Sequence, residues 1–98
     1  MTYDEFILTI ENDEAPPASL PPYMRALWWD AKGDWNKAHL LIDSLDDKNS
    51  CHVHAYLHRK EGDTGNAGYW YARANAQKPS VSPDEEWKNI TMQLLLKF

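Results

Sequence analysis

The sequence predicts an all-α domain, and three observations lead to that prediction. Residues that commonly cap helices recur along the chain, and each precedes a segment in which apolar residues return with helical spacing. Proline-rich and polar stretches separate these segments. The dipeptide Gly-Asp occurs twice, which indicates an internal repeat. The 98 residues are enough for one domain, 1–98, with one modest core.

The first predicted helix lies at the N-terminus. Thr2 followed by Glu5 has the pattern of a capping box, and it predicts a helix over about 3–11. The segment 15–22 is rich in proline, which cannot stand inside a helix. Because proline is tolerated in a first turn, the second helix is predicted to begin around Pro22.

Glycine and aspartate mark the next boundaries. The second helix is predicted to end near Gly33, and Asp34 to cap a third helix. A polar link at 46–49 follows, and Ser50 is predicted to cap a fourth helix that ends at Gly62. The apolar face of the third helix consists of Trp35, Ala38, Ile42 and Leu45.

Two further helices complete the predicted domain. Asp63 is predicted to cap a helix over about 64–76, and residues 78–81 form a loop. Ser82 with Glu85 has the capping-box pattern and starts the last helix. The apolar stripe of that helix is Trp87, Ile90 and Leu94.

Composition excludes several classes of protein. The net charge is −5 and no Lys/Arg stripe is present, which disfavours binding to nucleic acid or to an anionic membrane. With Cys51 as the single cysteine, no intrachain disulfide can form. The apolar run Phe6–Leu8 is too short for a signal peptide or a membrane span, so we expect a cytoplasmic protein.

The repeat has an offset of 29 residues. The matched pairs are Ala26 with Ala55, Gly33 with Gly62, Asp34 with Asp63, and Ala38 with Ala67. Each type suits a helical hairpin: glycine ends the first helix, aspartate caps the second, and the alanines let the two helices approach closely. The pattern therefore predicts two successive hairpins.

Over about 20–80 the chain resembles the tetratricopeptide repeat family. The second unit matches that family at Ala55, Gly62, Ala67, Tyr71, Ala74 and Pro79. The first unit matches at Ala26, Gly33 and Ala38, but has Ile42, Leu45 and Ser50 in place of the aromatic, the late alanine and the proline. The family's early tryptophan is replaced by Pro22 and Cys51, and the offset is 29 where the family has about 34.

This resemblance implies two antiparallel helical hairpins, at about 20–48 and 49–79, between an N-terminal helix and a C-terminal capping helix. The chain is also similar to small bacterial proteins with such repeats, which adds no function. In the family, the first helices of the hairpins line a concave groove. The residues implied to face it here are Tyr23, Leu27, His52, Tyr56, Arg59 and Lys60, together with Asp30.

A patch of cations and aromatics on an acidic protein suits an acidic or carboxylate-bearing protein or peptide. Reversing the charges of Arg59 and Lys60 is then expected to weaken binding without unfolding the protein. The alternative is an ordinary solvated helix face, in which these cations pair with Glu61 or Asp63.

Cys51, His54 and His58 share one face of the fourth helix, at spacings that suit zinc ligands. The same face is where the family packs its hairpin helices, so we predict a structural role, with no metal, no cofactor and no catalytic residue. His39 and His52 are predicted to lie at the surface.

The sequence therefore predicts a protein-interaction module that is not an enzyme. The alternative is a small metal-binding or catalytic protein that uses Cys51, His54 and His58. Leu94, Leu95 and Leu96 cannot all face one core, because successive helical residues are about 100° apart. An exposed leucine there predicts a homodimer held by the C-terminal helix.

Overall fold

The computed structural model describes all 98 residues and contains six helices and no strand, which confirms the predicted all-α class. The helices are α1 (Tyr3–Asn12), α2 (Pro22–Ala31), α3 (Trp35–Ile42), α4 (Lys48–Lys60), α5 (Thr64–Arg73) and α6 (Pro83–Leu95). Helices α2 and α3 pack as one pair and α4 and α5 as another, as predicted, and α6 packs against α1, α2 and α4. None of the helices has the length and apolar character of a membrane span.

The two hairpin turns have the same construction. Gly33 and Gly62 adopt φ values of 90° and 91°, a left-handed conformation that favours glycine. Asp34 and Asp63 follow them, and each aspartate N–H donates to the carbonyl five residues earlier at 2.9 Å. Each carboxylate then caps the next helix, accepting from the N–H three residues later at 3.0 and 3.2 Å. The 29-residue repeat is thus present in the backbone geometry.

Two predicted helix boundaries are wrong. Asp47, not Ser50, caps α4, because its carboxylate accepts from the Ser50 N–H at 3.0 Å and the first turn forms earlier. Ser50 therefore lies inside the helix, where it is buried. Helix α5 ends at Arg73 and not near residue 76, because Asn75 adopts a φ of 54°. Asparagine tolerates this left-handed conformation, which ends the helix.

The core joins five of the six helices, and tryptophans connect them. The main cluster holds 14 buried side chains, contributed by α1, α2, α3, α4, α6 and the segment before α2. Three indole N–H groups donate across helices: Trp28 to Thr9 Oγ1 at 3.1 Å, Trp35 to Leu57 O at 2.8 Å, and Trp87 to Leu27 O at 3.0 Å. A buried indole needs such an acceptor, so each bond fixes the relation of two helices.

The end of α6 confirms the expectation for its three leucines. Leu94 and Leu95 are buried, whereas Leu96 is 87% exposed. Met92 lies one turn before Leu96 and is also exposed. The two side chains lie on the same side of α6, because residues four apart are neighbours on a helix surface.

We expect opposite effects from alanine at two glycines. Gly68 lies inside α5 with open space where a Cβ would stand, so Gly68→Ala should raise the free energy of unfolding by about 0.5–1 kcal/mol. Gly62 also has open space but a left-handed backbone, so Gly62→Ala should lower it by about 1–2 kcal/mol. Urea denaturation of both variants measures these changes, and effects of the same sign would contradict the conformational argument.

Candidate functional site

Helix α6 covers the face on which the sequence places a groove, and one buried carboxylate holds it there. Glu86 of α6 is 2% exposed. Its carboxylate accepts from Arg59 Nη1 at 2.9 Å and from the Tyr71 hydroxyl at 2.5 Å. Arg59 also donates to the carbonyl of Val81, just before α6. These bonds fasten α6 to both helices of the second hairpin.

A second buried carboxylate connects the two hairpins. Asp30 of α2 is 3% exposed and accepts from the Tyr56 hydroxyl at 2.6 Å and from Lys60 Nζ at 2.9 Å. Burial, and then the charge of Asp30, raise the pKa of the Tyr56 hydroxyl far above its ordinary range. Burial and the bond to Glu86 do the same to the pKa of Tyr71. Both phenols therefore remain protonated and act as donors.

These contacts separate the residues that the sequence assigns to partner binding. Leu27 and Tyr56 are buried, at 0% and 1% exposed, so neither presents its side chain to an open groove, although Tyr56 lines the cleft described below. Tyr23 is half-buried, with its ring 6.4 Å from that of Phe98. His52 is half-buried beside Tyr71, at a separate opening of about 180 Å³.

Arg59 and Lys60 do pair within the chain, as the solvated-face alternative requires, but with carboxylates of other helices. Their partners are Glu86 and Asp30, not Glu61 or Asp63. The sequence could not indicate these pairs, because the partners are 27 and 30 residues away and belong to helices whose packing is set by the core.

One opening remains where α2, α4 and α6 meet, and we call it the α2–α6 cleft. Its volume is about 300 Å³. It is lined by Asp30, Ala31, Tyr56, Lys60, Asp84 and Trp87. Asp84 is exposed and forms no ion pair, whereas Asp30 and Lys60 bond to each other. The cleft thus combines the half-buried Trp87 with one carboxylate, Asp84, that has no cationic partner.

A cluster of three histidines lies on another side of α4. His54 and His58 of α4 meet His39 of α3, and one ring nitrogen from each lies within 4.8 Å of the others. The Nε2 atoms of His39 and His54 are 3.1 Å apart. We call this group the histidine cluster. Cys51, which the sequence grouped with His54 and His58, is fully buried and does not belong to it.

The sequence placed His39 and His52 at the surface, and both are half-buried. His39 stacks on Trp35 with ring centroids 4.9 Å apart. A signal was present in the sequence: His39 follows Trp35 by four residues, so both side chains lie on one face of α3. The sequence could not indicate that this face of α3 packs against His54 and His58.

The environment of the cluster disfavours protonation. Burial, and then the neighbouring His58 and His39, lower the pKa of His54 to about 4. Burial and His58 also lower the pKa of His39. At neutral pH both rings are therefore neutral, and each carries one nitrogen lone pair.

His58 is oriented by the Glu61 carboxylate, which lies 2.6 Å from its Nδ1. Nδ1 therefore donates to Glu61, and Nε2 is the ring nitrogen left for other contacts. That Nε2 lies 3.3 Å from the Asn66 side-chain nitrogen. In His54, Nδ1 is buried and has no hydrogen-bond partner.

No protein-family model, curated protein or solved structure matches this chain. The architecture is therefore described from the structure alone: the protein is small and all-helical, with six helices and two packed hairpins. The candidate sites are therefore the α2–α6 cleft and the histidine cluster, each defined by its own geometry.

The ion pair of Arg59 with buried Glu86 changes the expectation that Arg59 can be replaced without loss of stability. Arg59→Gln leaves Glu86 buried without its cation, so we expect the free energy of unfolding to fall by about 3–5 kcal/mol. Lys78→Gln, which removes an exposed cation with no side-chain partner, should change it by no more than about 0.5 kcal/mol. Chemical denaturation compares the two, and equal effects would mean that Glu86 does not depend on Arg59. Reversal of Arg59 is accordingly not expected to be neutral for folding.

Proposed function

We propose that this chain is a non-catalytic, cytoplasmic protein-interaction module that binds a partner at the α2–α6 cleft. The observation that supports this proposal is the convergence, at one opening of about 300 Å³, of side chains from three helices. That volume is at the lower end for a binding pocket and suits one inserted side chain better than a large ligand. Two of the residues assigned to partner binding from the sequence, Tyr56 and Lys60, line it.

The groups in the cleft favour binding over catalysis. The Asp30 carboxylate accepts bonds from Tyr56 and Lys60, so it is already committed to holding two helices together. The Tyr56 hydroxyl is held as a donor to Asp30 and cannot serve as a base. Trp87 is held through its bond to the Leu27 carbonyl and presents a fixed aromatic surface.

The charges of the cleft change the partner chemistry expected from the sequence. The prediction of an acidic partner required Arg59 and Lys60 to be available for binding. Both cations instead form ion pairs with carboxylates of the protein itself. The cleft charge without a partner is Asp84, and the whole chain is acidic. We therefore propose that the partner is a protein or peptide that inserts a lysine or arginine, with its stem on Trp87 and its charge near Asp84.

We also propose that the two hairpins are shortened tetratricopeptide-type units. Support comes from the matched Gly-Asp turns and from the four repeat alanines, Ala26, Ala38, Ala55 and Ala67, of which every one is buried. Two units are fewer than a solenoid usually needs, and α1 and α6 would then act as caps at its ends.

The cleft proposal predicts a charge preference that peptide selection can measure. A library of random displayed peptides, panned on the full chain, should enrich sequences that contain lysine or arginine. Asp84→Lys should abolish binding of the enriched peptides, because like charges then meet in the cleft. Binding to the unchanged protein should weaken with added salt.

Glu85→Lys is the matched control. It changes the next residue of the same helix by the same charge, but Glu85 does not line the cleft. Enriched peptides should therefore still bind this variant. Enrichment of acidic peptides would restore the partner chemistry expected from the sequence, and equal binding to both variants would remove the cleft as the site.

Self-association through α6 also remains a prediction. The exposed Leu96 and Met92, one turn apart, are the side chains that a second copy would cover. Sedimentation at increasing protein concentration should show a dimer that Leu96→Gln weakens, without loss of stability, because Leu96 is 87% exposed. A monomer at high concentration would contradict the prediction.

A further inference from the structure

The histidine cluster is not explained by the α2–α6 cleft or by partner binding there. It brings together three imidazoles from both hairpins: His39 is on α3 of the first hairpin, and His54 and His58 are on α4 of the second. Buried histidines commonly serve as ordinary core residues, each with a satisfied hydrogen bond. Three geometric features of this cluster differ from that expectation, and together they describe a metal-binding site.

We propose that His39, His54 and His58 bind one divalent transition-metal ion of the class that prefers imidazole nitrogen, with zinc as its representative. The first supporting feature is distance. The Nε2 atoms of His39 and His54 are 3.1 Å apart. Two nitrogens on a tetrahedral ion with bonds of about 2.0–2.1 Å would be about 3.3–3.4 Å apart. The third nitrogen lies within 4.8 Å, which a small ring rotation can reduce.

The second feature is a set of contacts that orient the rings. The Glu61 carboxylate accepts a hydrogen bond from His58 Nδ1. This contact leaves Nε2 as the ring nitrogen that can coordinate a metal ion. A carboxylate behind a ligating histidine is the usual supporting contact in metal sites. His39 stacks on Trp35, and His54 stacks on Trp70 with centroids 4.0 Å apart and planes 16° apart. The long contact from Asn66 to His58 Nε2, at 3.3 Å, is weak enough for an ion to replace.

The third feature is incomplete hydrogen bonding. His54 is 3% exposed, and its Nδ1 has no partner. Its Nε2 faces the Nε2 of His39, and only one proton can lie between two such nitrogens. Whichever ring carries it, one nitrogen of buried His54 stays without a hydrogen-bond partner, which is unfavourable for a buried polar group. If an ion takes both facing lone pairs, Nδ1 of His54 carries the proton and the neutral rings are in the form that metals bind.

The donor set limits the ion. Three neutral nitrogen ligands suit Zn²⁺, Cu²⁺, Ni²⁺ or Co²⁺, and do not suit Mg²⁺ or Ca²⁺, which take oxygen ligands. Three histidines leave a fourth position of a tetrahedral ion for water or a partner's ligand. His39 is half-buried, so the cluster reaches the surface through α3.

Calorimetric titration of the chelator-stripped full chain with Zn²⁺ tests the proposal. We expect saturation at one ion per chain. His39→Gln should weaken the affinity by more than about tenfold, because it removes a ligand, and Glu61→Gln by about 10–100-fold, because it removes the support of His58. His52→Gln is the control. His52 lies on α4, as His54 and His58 do, but outside the cluster, so its loss should leave the zinc affinity unchanged.

Two results would overturn the proposal. One is the absence of saturable binding at one ion per chain. The other is an unchanged affinity in His39→Gln together with a loss in Glu61→Gln, which would place the ion on His58, Glu61 and Asp63 instead. If His39→Gln does not fold, ¹⁵N NMR of the imidazole nitrogens in the unmodified protein tests the site. Addition of Zn²⁺ should shift the ring signals of His39, His54 and His58. A shift confined to His58 would refute the site.

Discussion

The buried carboxylate of Glu86 is the constraint on which the arrangement of this protein depends. A charge that is 2% exposed must be paired, and its partners, Arg59 and Tyr71, come from both helices of the second hairpin. The requirement selects one position for α6 against the second hairpin. With α6 in that position, Ile90, Leu94 and Leu95 can enter the main core. An apolar contact alone would tolerate sliding of the helix, whereas a bidentate set of polar contacts does not.

Helix α4 lies at the centre of this arrangement because its different sides meet different helices. Tyr56, Arg59 and Lys60 point to α2 and α6, where they donate to Asp30 and Glu86. His54 precedes Tyr56 by two residues, which is about 200° around a helix, so it and His58 face away from them towards α3 and α5. The α2–α6 cleft and the histidine cluster thus occupy nearly opposite sides of one helix. A change at one need not disturb the other.

The packing of α6 also decides what the surface of this protein offers. Helix α6 contacts α1, α2 and α4, and its apolar side chains Ile90, Leu94 and Leu95 enter the main core. The result is a closed core with a small cleft of about 300 Å³ at the meeting point of α2, α4 and α6. The proposed binding of a single side chain rests on the size of that cleft.

The parts of the structure that the sequence determined are those that depend on neighbours in the chain. Gly33 and Gly62 end helices because only glycine readily adopts their backbone conformation, and Asp34 and Asp63 cap the next helices with their own side chains. Where two nearby residues could serve as the cap, as Asp47 and Ser50 could, the local pattern was ambiguous and the prediction chose the wrong one.

Tertiary packing alone decided which polar groups meet. Arg59 is a surface cation by its sequence pattern, and only the packing of α6 gives it Glu86 as a partner, buries Glu86 and covers most of the Arg59 side chain. His39 reads as a surface residue, and only the packing of α3 on α4 brings it to His54. A cap or a turn is encoded within a few residues, but a cross-helix contact depends on the sum of core packing over the whole domain. For that reason the helices could be placed from the sequence, and the cleft and the histidine cluster could not.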